Sequence, residues 1–327
     1  MMTMRLKPVK WPLKRPFRIA RAVYHHVDAL QIELEDQYGN IGRAEGLGDD
    51  FHGETVASLM DQLNTWSGQL TDDLSRTDIL DRYPRGAARY LLDAAMWDLQ
   101  AKATGVPAWE TAGVDAIQPC RTAFTIGLGE PEELEQELRT LHGYTLLKIK
   151  VEAQDPRPLL DRVCAANPDA ELILDAKAAW TPPHLRDWLA SLPDYGVSLV
   201  EQPLPVDQDQ GLLDLEHVVP IAADESCTDA ASLPGLIDKY DAVNIKLEKT
   251  GGLTEALRVA DLAQAAGLDL MVGCMGGSSL AMAPAALIAP RCRWVDLDGP
   301  LLQTHDTEFG LEYDRGVMGP PSRELWG

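Results

Sequence analysis

The chain has 327 residues, 45% of them hydrophobic and 24% charged, an ordinary globular composition that excludes bulk disorder. Its formal net charge of −22 argues against nucleic acid and against an anionic membrane surface as the main partner. A small anionic substrate stays open, because a bound metal ion reverses the sign of a site locally.

No apolar run approaches the ~18 residues of a membrane span. Seven of the first 27 residues are Lys or Arg. Pro8, Pro12 and Pro16, with no apolar run behind them, predict a first strand with basic flanks rather than a targeting segment. Leu30, Ile32 and Leu34 alternate with Gln31, Glu33 and Glu35, and Gly39 and Asn40 supply a turn, which predicts a hairpin. The clearest helix is predicted over 87–104, with Leu91, Leu92, Ala95, Met96 and Leu99 on one face and Gly105 ending it.

Beyond about residue 115, short apolar strands (146–151, 172–174, 199–200, 221–222, 243–247, 270–272 and 294–297) alternate with helical stretches such as 253–266. That alternation predicts a parallel sheet. Eight strands closing into a barrel would use about 190 residues, short for such a fold but feasible with tight loops. The expected organisation is an α+β domain over 1–115 and a barrel over 116–304, with a tail over 305–327 packing back on the first domain. The five cysteines, Cys120, Cys164, Cys227, Cys274 and Cys292, are odd in number, widely spaced and without a CxxC. A reduced, cytoplasmic protein is expected, not a disulfide framework or zinc ribbon.

The polar residues that end these strands carry the chemistry. Lys148 and Lys150 end the second strand, Asp175 the third, Glu201 the fourth, Asp224 the fifth, Lys246 the sixth, and Asp296 and Asp298 the eighth. From Lys150 the steps are 25, 26, 23 and 22 residues to Lys246, then 52 to Asp298. Each of the first four steps is about one βα unit and the last is two, so each charge falls at the C-terminal mouth of its strand, where barrel active sites lie. One such residue reads as a helix cap or a solvated lysine. A whole set is costly to bury unless its members pair or bind a metal.

Asp175, Glu201 and Asp224 offer all-oxygen ligands that suit Mg²⁺, with Mn²⁺ as the alternative. Lys150 and Lys246 lie four strands apart in a ring of eight and face each other across the mouth. Two bases on opposite sides of one carbon can remove a proton from one face and return it to the other, which is racemisation or epimerisation. Lys148 and the metal would both depress the Lys150 pKa, since nearby positive charge favours a neutral amine.

With these residues in place the chain resembles the enolase superfamily, and within it the dipeptide epimerases. The resemblance runs through Pro16–Arg21, Gly86–Arg89, Asp93–Asp98, Lys148-Ile-Lys150, Glu201–Pro205, Ala223–Cys227, Val243–Leu253, Gly273–Met275 and Asp296–Pro300. It implies a modified (β/α)₇β TIM-type barrel with an α+β capping domain. It also implies a lysine pair, Lys150 and Lys246, working at the α-carbon of a dipeptide's C-terminal residue, with Mg²⁺ stabilising an ene-diolate.

Asp296 and Asp298 match the family's Asp-x-Asp, which binds the dipeptide's ammonium. Arg21 aligns, across a one-residue shift, with an arginine that some members use for a glutamate side chain; a strand-end surface arginine is the other reading. Phe51, His52 and Met275 are further candidates to line the substrate. The implied substrate is L-Ala-D/L-Glu or a close relative, as in peptidoglycan peptide metabolism, with a homo-oligomer possible.

One departure is plain. Where the family usually has Asp-Ala-Asn, this chain has Asp175-Ala-Lys177, which places a further cation beside the metal or substrate. N-acylamino acid racemisation and o-succinylbenzoate synthesis use the same two lysines and stay open, as does a non-catalytic metal-binding barrel. The Asp-x-Asp pair speaks against the first two, and retention of both base lysines against the third.

Overall fold

A computed structural model of the chain describes residues 1–19, 22–129 and 131–327. The alternation around Leu30 becomes the middle strand of an antiparallel sheet of order β1-β2-β3: β1 (Thr3–Ile19), β2 (Ala22–Glu35) and β3 (Ile41–Gly46). Leu30, Ile32 and Leu34 are buried, while Glu33 and Glu35 on the other face pair with Arg5 at 3.0 and 2.9 Å. The three prolines sit on edge strand β1, where a missing N–H costs no ladder bond. Asp36 closes the turn by accepting from the Tyr38 and Asn40 amides.

Helices α1 (Val56–Trp66), α2 (Arg76–Arg82) and α3 (Ala87–Thr104) follow, the first two opened by capping boxes at Thr55 and Ser75. Helix α3 ends at Gly105 as expected but is not amphipathic: Arg89, Asp93 and Asp98 are buried with its apolar residues. The sheet covers one side and the barrel the other. Arg89 donates to the carbonyls of Thr250 and Gly251 at 2.8 and 2.9 Å, and Asp93 accepts from the Thr254 amide at 3.0 Å. The polar positions that solvent would normally satisfy are used here to dock one layer on the other.

After β4 (Cys120–Arg121) come eight parallel strands in sequential order: β5 (Phe124–Ile126), β6 (Leu146–Lys150), β7 (Glu171–Asp175), β8 (Val197–Glu201), β9 (Ile221–Ala223), β10 (Ala242–Ile245), β11 (Asp269–Gly273) and β12 (Trp294–Asp296). Contacts between the outer two strands close the ring: the Ala123 amide donates to Val295 O at 2.7 Å. The fold is a ring of eight parallel strands with a separate antiparallel sheet domain. A small sheet of order β13-β14-β4 pairs β13 (Tyr313–Asp314) and β14 (Val317–Met318) with the run into the barrel. The last residues reach α3, where Trp326 Nε1 donates to Ala94 O and the Gly327 amide to Asp98.

Inside the ring, Ala123, Leu146, Ile173, Leu199, Ala222, Ala242, Met271 and Trp294 form one buried cluster, one residue from each strand or its lead-in. Strand side chains alternate, so the residue two positions on from each shares its inward face one layer nearer the mouth. That layer reads Thr125, Lys148, Asp175, Glu201, Asp224, Asn244, Gly273 and Asp296.

Candidate active site

The apolar layer below dictates which side chains converge above it. Lys148 is 1% exposed and sits among three carboxylates: Glu201 Oε2 at 2.6 Å, Asp296 Oδ2 at 2.8 Å and Asp175 Oδ2 at 3.2 Å. Lys150, one layer higher on the same strand, bonds Asp175 Oδ2. Lys246 lies 2.7 Å from Asp224 Oδ2 and 3.8 Å from Glu201 Oε1. The charges thus alternate in sign around the mouth, from Lys150 through Asp175, Lys148 and Glu201 to Lys246 and Asp224. Gly273 makes room for this: a Cβ there would meet Asn244 Oδ1 at 2.8 Å and Lys246 Cε at 3.1 Å.

The environment splits the lysines. Burial opposes the charge on Lys148, but Asp296, Glu201 and Asp175 outweigh it and hold its pKa well above the ordinary value. Burial also acts on Lys150, and with Lys148 and Lys177 nearby its pKa falls below the ordinary value despite Asp175. At Lys246 burial is again opposed, chiefly by Asp224, and the pKa is raised. Asp175 and Asp224 lie below the usual carboxylate range because their lysine neighbours outweigh burial, while burial and Asp175 push Glu201 up.

Asp175, Glu201 and Asp224 are each 0–1% exposed and come from three adjacent strands, with Asp175 and Glu201 in register. Among the described residues no three carboxylate, histidine or cysteine side chains converge as a ready-made ion cradle, because ammonium groups stand between them. Glu201 Oε2 is buried and, among the described residues, receives no aligned hydrogen bond, although the Lys148 ammonium lies 2.6 Å away. Three anionic oxygen donors from adjacent strands fit a hard divalent cation.

Asp296 accepts from Thr125 Oγ1 at 3.1 Å, and Asp298 from the Thr125 amide at 2.6 Å. Asp298 stands at the start of the short helix 299–302 without capping it. Burial and the adjacent Asp296 raise its pKa to about 7. Lys177 reaches Asp224 Oδ2 at 3.2 Å and Glu225 Oε1 at 3.1 Å.

From the first domain, Phe51 and His52 lie exposed on a turn held by Asp49, which bonds the Phe51 amide at 2.9 Å and His52 Nδ1 at 2.7 Å. That turn is tied to β2 through Tyr24, whose hydroxyl donates to Asp50 at 2.8 Å. Met275 is half-buried against Trp11, Ala29 and Leu47. Arg21 lies outside the described residues.

Sequence reasoning passed over Asn244, which donates to Glu201 Oε1 at 2.7 Å, and Lys249, which lies 2.7 Å from Asp224 Oδ1. A signal for both was present. Asn244 is two residues before Lys246 on one strand, and Lys249 is one helical turn after it.

A family model described as enolase C-terminal domain-like matches residues 132–324. The chain is 37% identical over 320 residues to an L-Ala-D/L-Glu epimerase of Escherichia coli, covering 97% of this chain and 99% of that one. It is 40% identical over 257 residues to an N-acetyl-D-glutamate racemase of a Pseudoalteromonas species, covering 79% and 81%.

Among solved structures, an enolase family member from Agrobacterium tumefaciens with homology to dipeptide epimerases, bound to sodium and L-Ala-L-Glu, superposes with a TM-score of 0.96 at 37% identity over 100% of both chains. A dipeptide epimerase from Methylococcus capsulatus complexed with Mg and L-Arg-D-Lys gives a TM-score of 0.91 at 29% identity, covering 99% and 98%.

Proposed function

The chain belongs to the enolase superfamily, and we propose that it is a dipeptide epimerase inverting the α-carbon of the C-terminal residue, with L-Ala-D/L-Glu as its substrate. The observation that carries this reading is the pair Lys150 and Lys246. They stand on strands four apart in the ring, flank one row of buried carboxylates, and are shifted in opposite directions. Lys150, biased toward the free amine, takes the α-proton of one epimer on Nζ. Lys246, biased toward the ammonium, delivers a proton to the opposite face, and the roles reverse for the other epimer.

Lys148 holds Asp175, Glu201 and Asp296 in place and keeps positive charge beside Lys150. Asp175, Glu201 and Asp224 would hold Mg²⁺, with Mn²⁺ as a substitute. When bound, the ion supplies positive charge for the substrate carboxylate as negative charge builds on it. Asp296 and Asp298 take the dipeptide's ammonium in charge-assisted hydrogen bonds, and Arg21 takes the side-chain carboxylate.

A second reading, racemisation of an N-acylamino acid, is favoured by the similarity to the Pseudoalteromonas racemase. An N-acyl substrate has no ammonium and would leave Asp296 and Asp298 facing an uncharged group.

The test is exchange of the α-proton in D₂O with Mg²⁺, read by NMR over a panel of L-Ala-Xaa dipeptides and N-acetylglutamate. The epimerase reading expects L-Ala-L-Glu to exchange fastest and to appear as L-Ala-D-Glu. Preference for N-acetylglutamate selects the second reading, and no exchange with any compound selects a non-catalytic barrel.

A further inference from the structure

Asp224 is crowded with cations. Its Oδ1 is 2.7 Å from Lys249, and its Oδ2 is shared between Lys246 at 2.7 Å and Lys177 at 3.2 Å. A carboxylate oxygen has two lone pairs, so Oδ2 is fully used. A metal ion can bind through Oδ2 only if one of its two ammonium partners gives way.

The three lysines are not equally able to do so. Lys249 is 3% exposed and also anchored on two backbone carbonyls, those of Asp224 and Asn244. Lys246 is 2% exposed and lies between Asp224 and Glu201. Lys177 has the most room, with about a third of its side chain exposed, and it already touches a second carboxylate, Glu225 Oε1, at 3.1 Å. The other oxygen of that carboxylate, Glu225 Oε2, is buried and has no hydrogen-bond partner among the described residues, a position that costs free energy until a donor arrives.

Residue 177 is also built to point where it does. Its backbone takes φ 47, in the left-handed region, and its amide donates to Asp175 Oδ1 at 3.1 Å. One residue therefore holds Asp175 through its main chain and Asp224 through its side chain.

We propose that Lys177 is a displaceable counter-ion for the metal site. It holds Asp224 Oδ2 when no divalent ion is bound and withdraws onto Glu225 when one binds. It thereby competes with the ion and sets its affinity. This rests on the metal reading above and adds to it a residue that tunes the metal. By linkage, removing the competitor strengthens ion binding, while the metal-free protein loses the counter-charge.

The experiment is calorimetric titration of Mg²⁺ into chelator-stripped wild type, Lys177→Asn, Lys177→Met and Lys177→Arg, with Tm measured with and without Mg²⁺. Asparagine tolerates the left-handed backbone and methionine keeps the chain length, so two variants remove the charge by different routes. The expected result is a Kd for Mg²⁺ at least about tenfold lower in both, which corresponds to about 1.4 kcal/mol, with Lys177→Arg near wild type. The rise in Tm on adding Mg²⁺ should also be larger in the two uncharged variants, an effect that loss of a purely structural contact would not produce. Glu225→Gln should weaken Mg²⁺ binding in the wild-type background and have little effect beside Lys177→Met.

Unchanged or weaker Mg²⁺ binding in both uncharged variants overturns the proposal, as does equal tightening in Lys177→Arg. If wild type and variants alike bind no divalent ion, the metal reading itself fails and this one with it. Wild-type binding with unaltered variants sinks this one alone.

Discussion

Lys148 and Lys150 stand two residues apart on one strand and one face, yet their surroundings move their pKa values in opposite directions, Lys148 up and Lys150 down. Lys148 has three carboxylates within 3.2 Å, whereas among the described residues Lys150 is paired with Asp175 alone and feels Lys148 and Lys177 as like charges. A fixed cation thus stands next to a lysine whose pKa is lowered, the direction of shift that suits a lysine base.

Metal removal gives the simplest outcome. Stripping the protein with a chelator should abolish epimerisation, and Mg²⁺ should restore it, with Mn²⁺ as a partial substitute. The readout is the rate of interconversion of L-Ala-L-Glu and L-Ala-D-Glu. Full activity in excess chelator would contradict the assignment of Asp175, Glu201 and Asp224.

The Asp296–Asp298 pair separates the two substrate classes. Asp298→Asn should lower kcat/KM for L-Ala-L-Glu by about tenfold or more, the order of one hydrogen bond to a charged group. It should spare or improve turnover of N-acetylglutamate, which has no ammonium. Equal losses on both substrates would show that Asp298 serves the fold rather than the ammonium.

Arg21→Met should reduce kcat/KM for L-Ala-L-Glu at least tenfold and spare L-Ala-L-Met, since an unpaired carboxylate in a closed site costs on the order of 2–5 kcal/mol. If apolar or basic Xaa outperforms Glu in the wild type, the glutamate assignment fails and the epimerase assignment survives.

A pH effect on stability is built in beside Lys246. Glu248 is buried and its pKa is raised from 4.5 to about 7 by burial, with Asp49 and Glu54 adding like charge against the pull of Lys246. Between those two values the folded chain holds more protons than the unfolded one, so stability falls as pH rises. Glu248→Gln removes that loss. Its stability relative to wild type, from denaturant midpoints, should grow between pH 4.5 and pH 8 by up to about 3 kcal/mol. A difference independent of pH would contradict the raised pKa.

Much of the barrel and its charged mouth was legible because two periods coincide there. The βα repeat of about 25 residues brings one strand end after another to the mouth, and the alternation within a strand decides which side chain faces inward. Asp175, Glu201 and Asp224 satisfy both. Lys177 was legible as a further cation beside the site but not as the partner of Asp224 and Glu225 in particular, because a two-residue offset says nothing about how far a long side chain reaches. Its left-handed backbone, φ 47, is what turns it toward Asp224. The burial of α3 on both sides was hidden for another reason. Arg89 and Asp93 are covered by the barrel loop 250–254, which no periodicity within the helix brings alongside.

The central claim is that Lys150 and Lys246 serve opposite faces of one carbon. Its most direct test follows α-deuterium incorporation separately from L-Ala-L-Glu and L-Ala-D-Glu in Lys150→Ala and Lys246→Ala, both loaded with Mg²⁺. The account predicts that each variant still exchanges the α-proton of one epimer, a different one in each, and that neither interconverts the two. Interconversion at near wild-type rate in either variant, or loss of exchange from the same epimer in both, would contradict it.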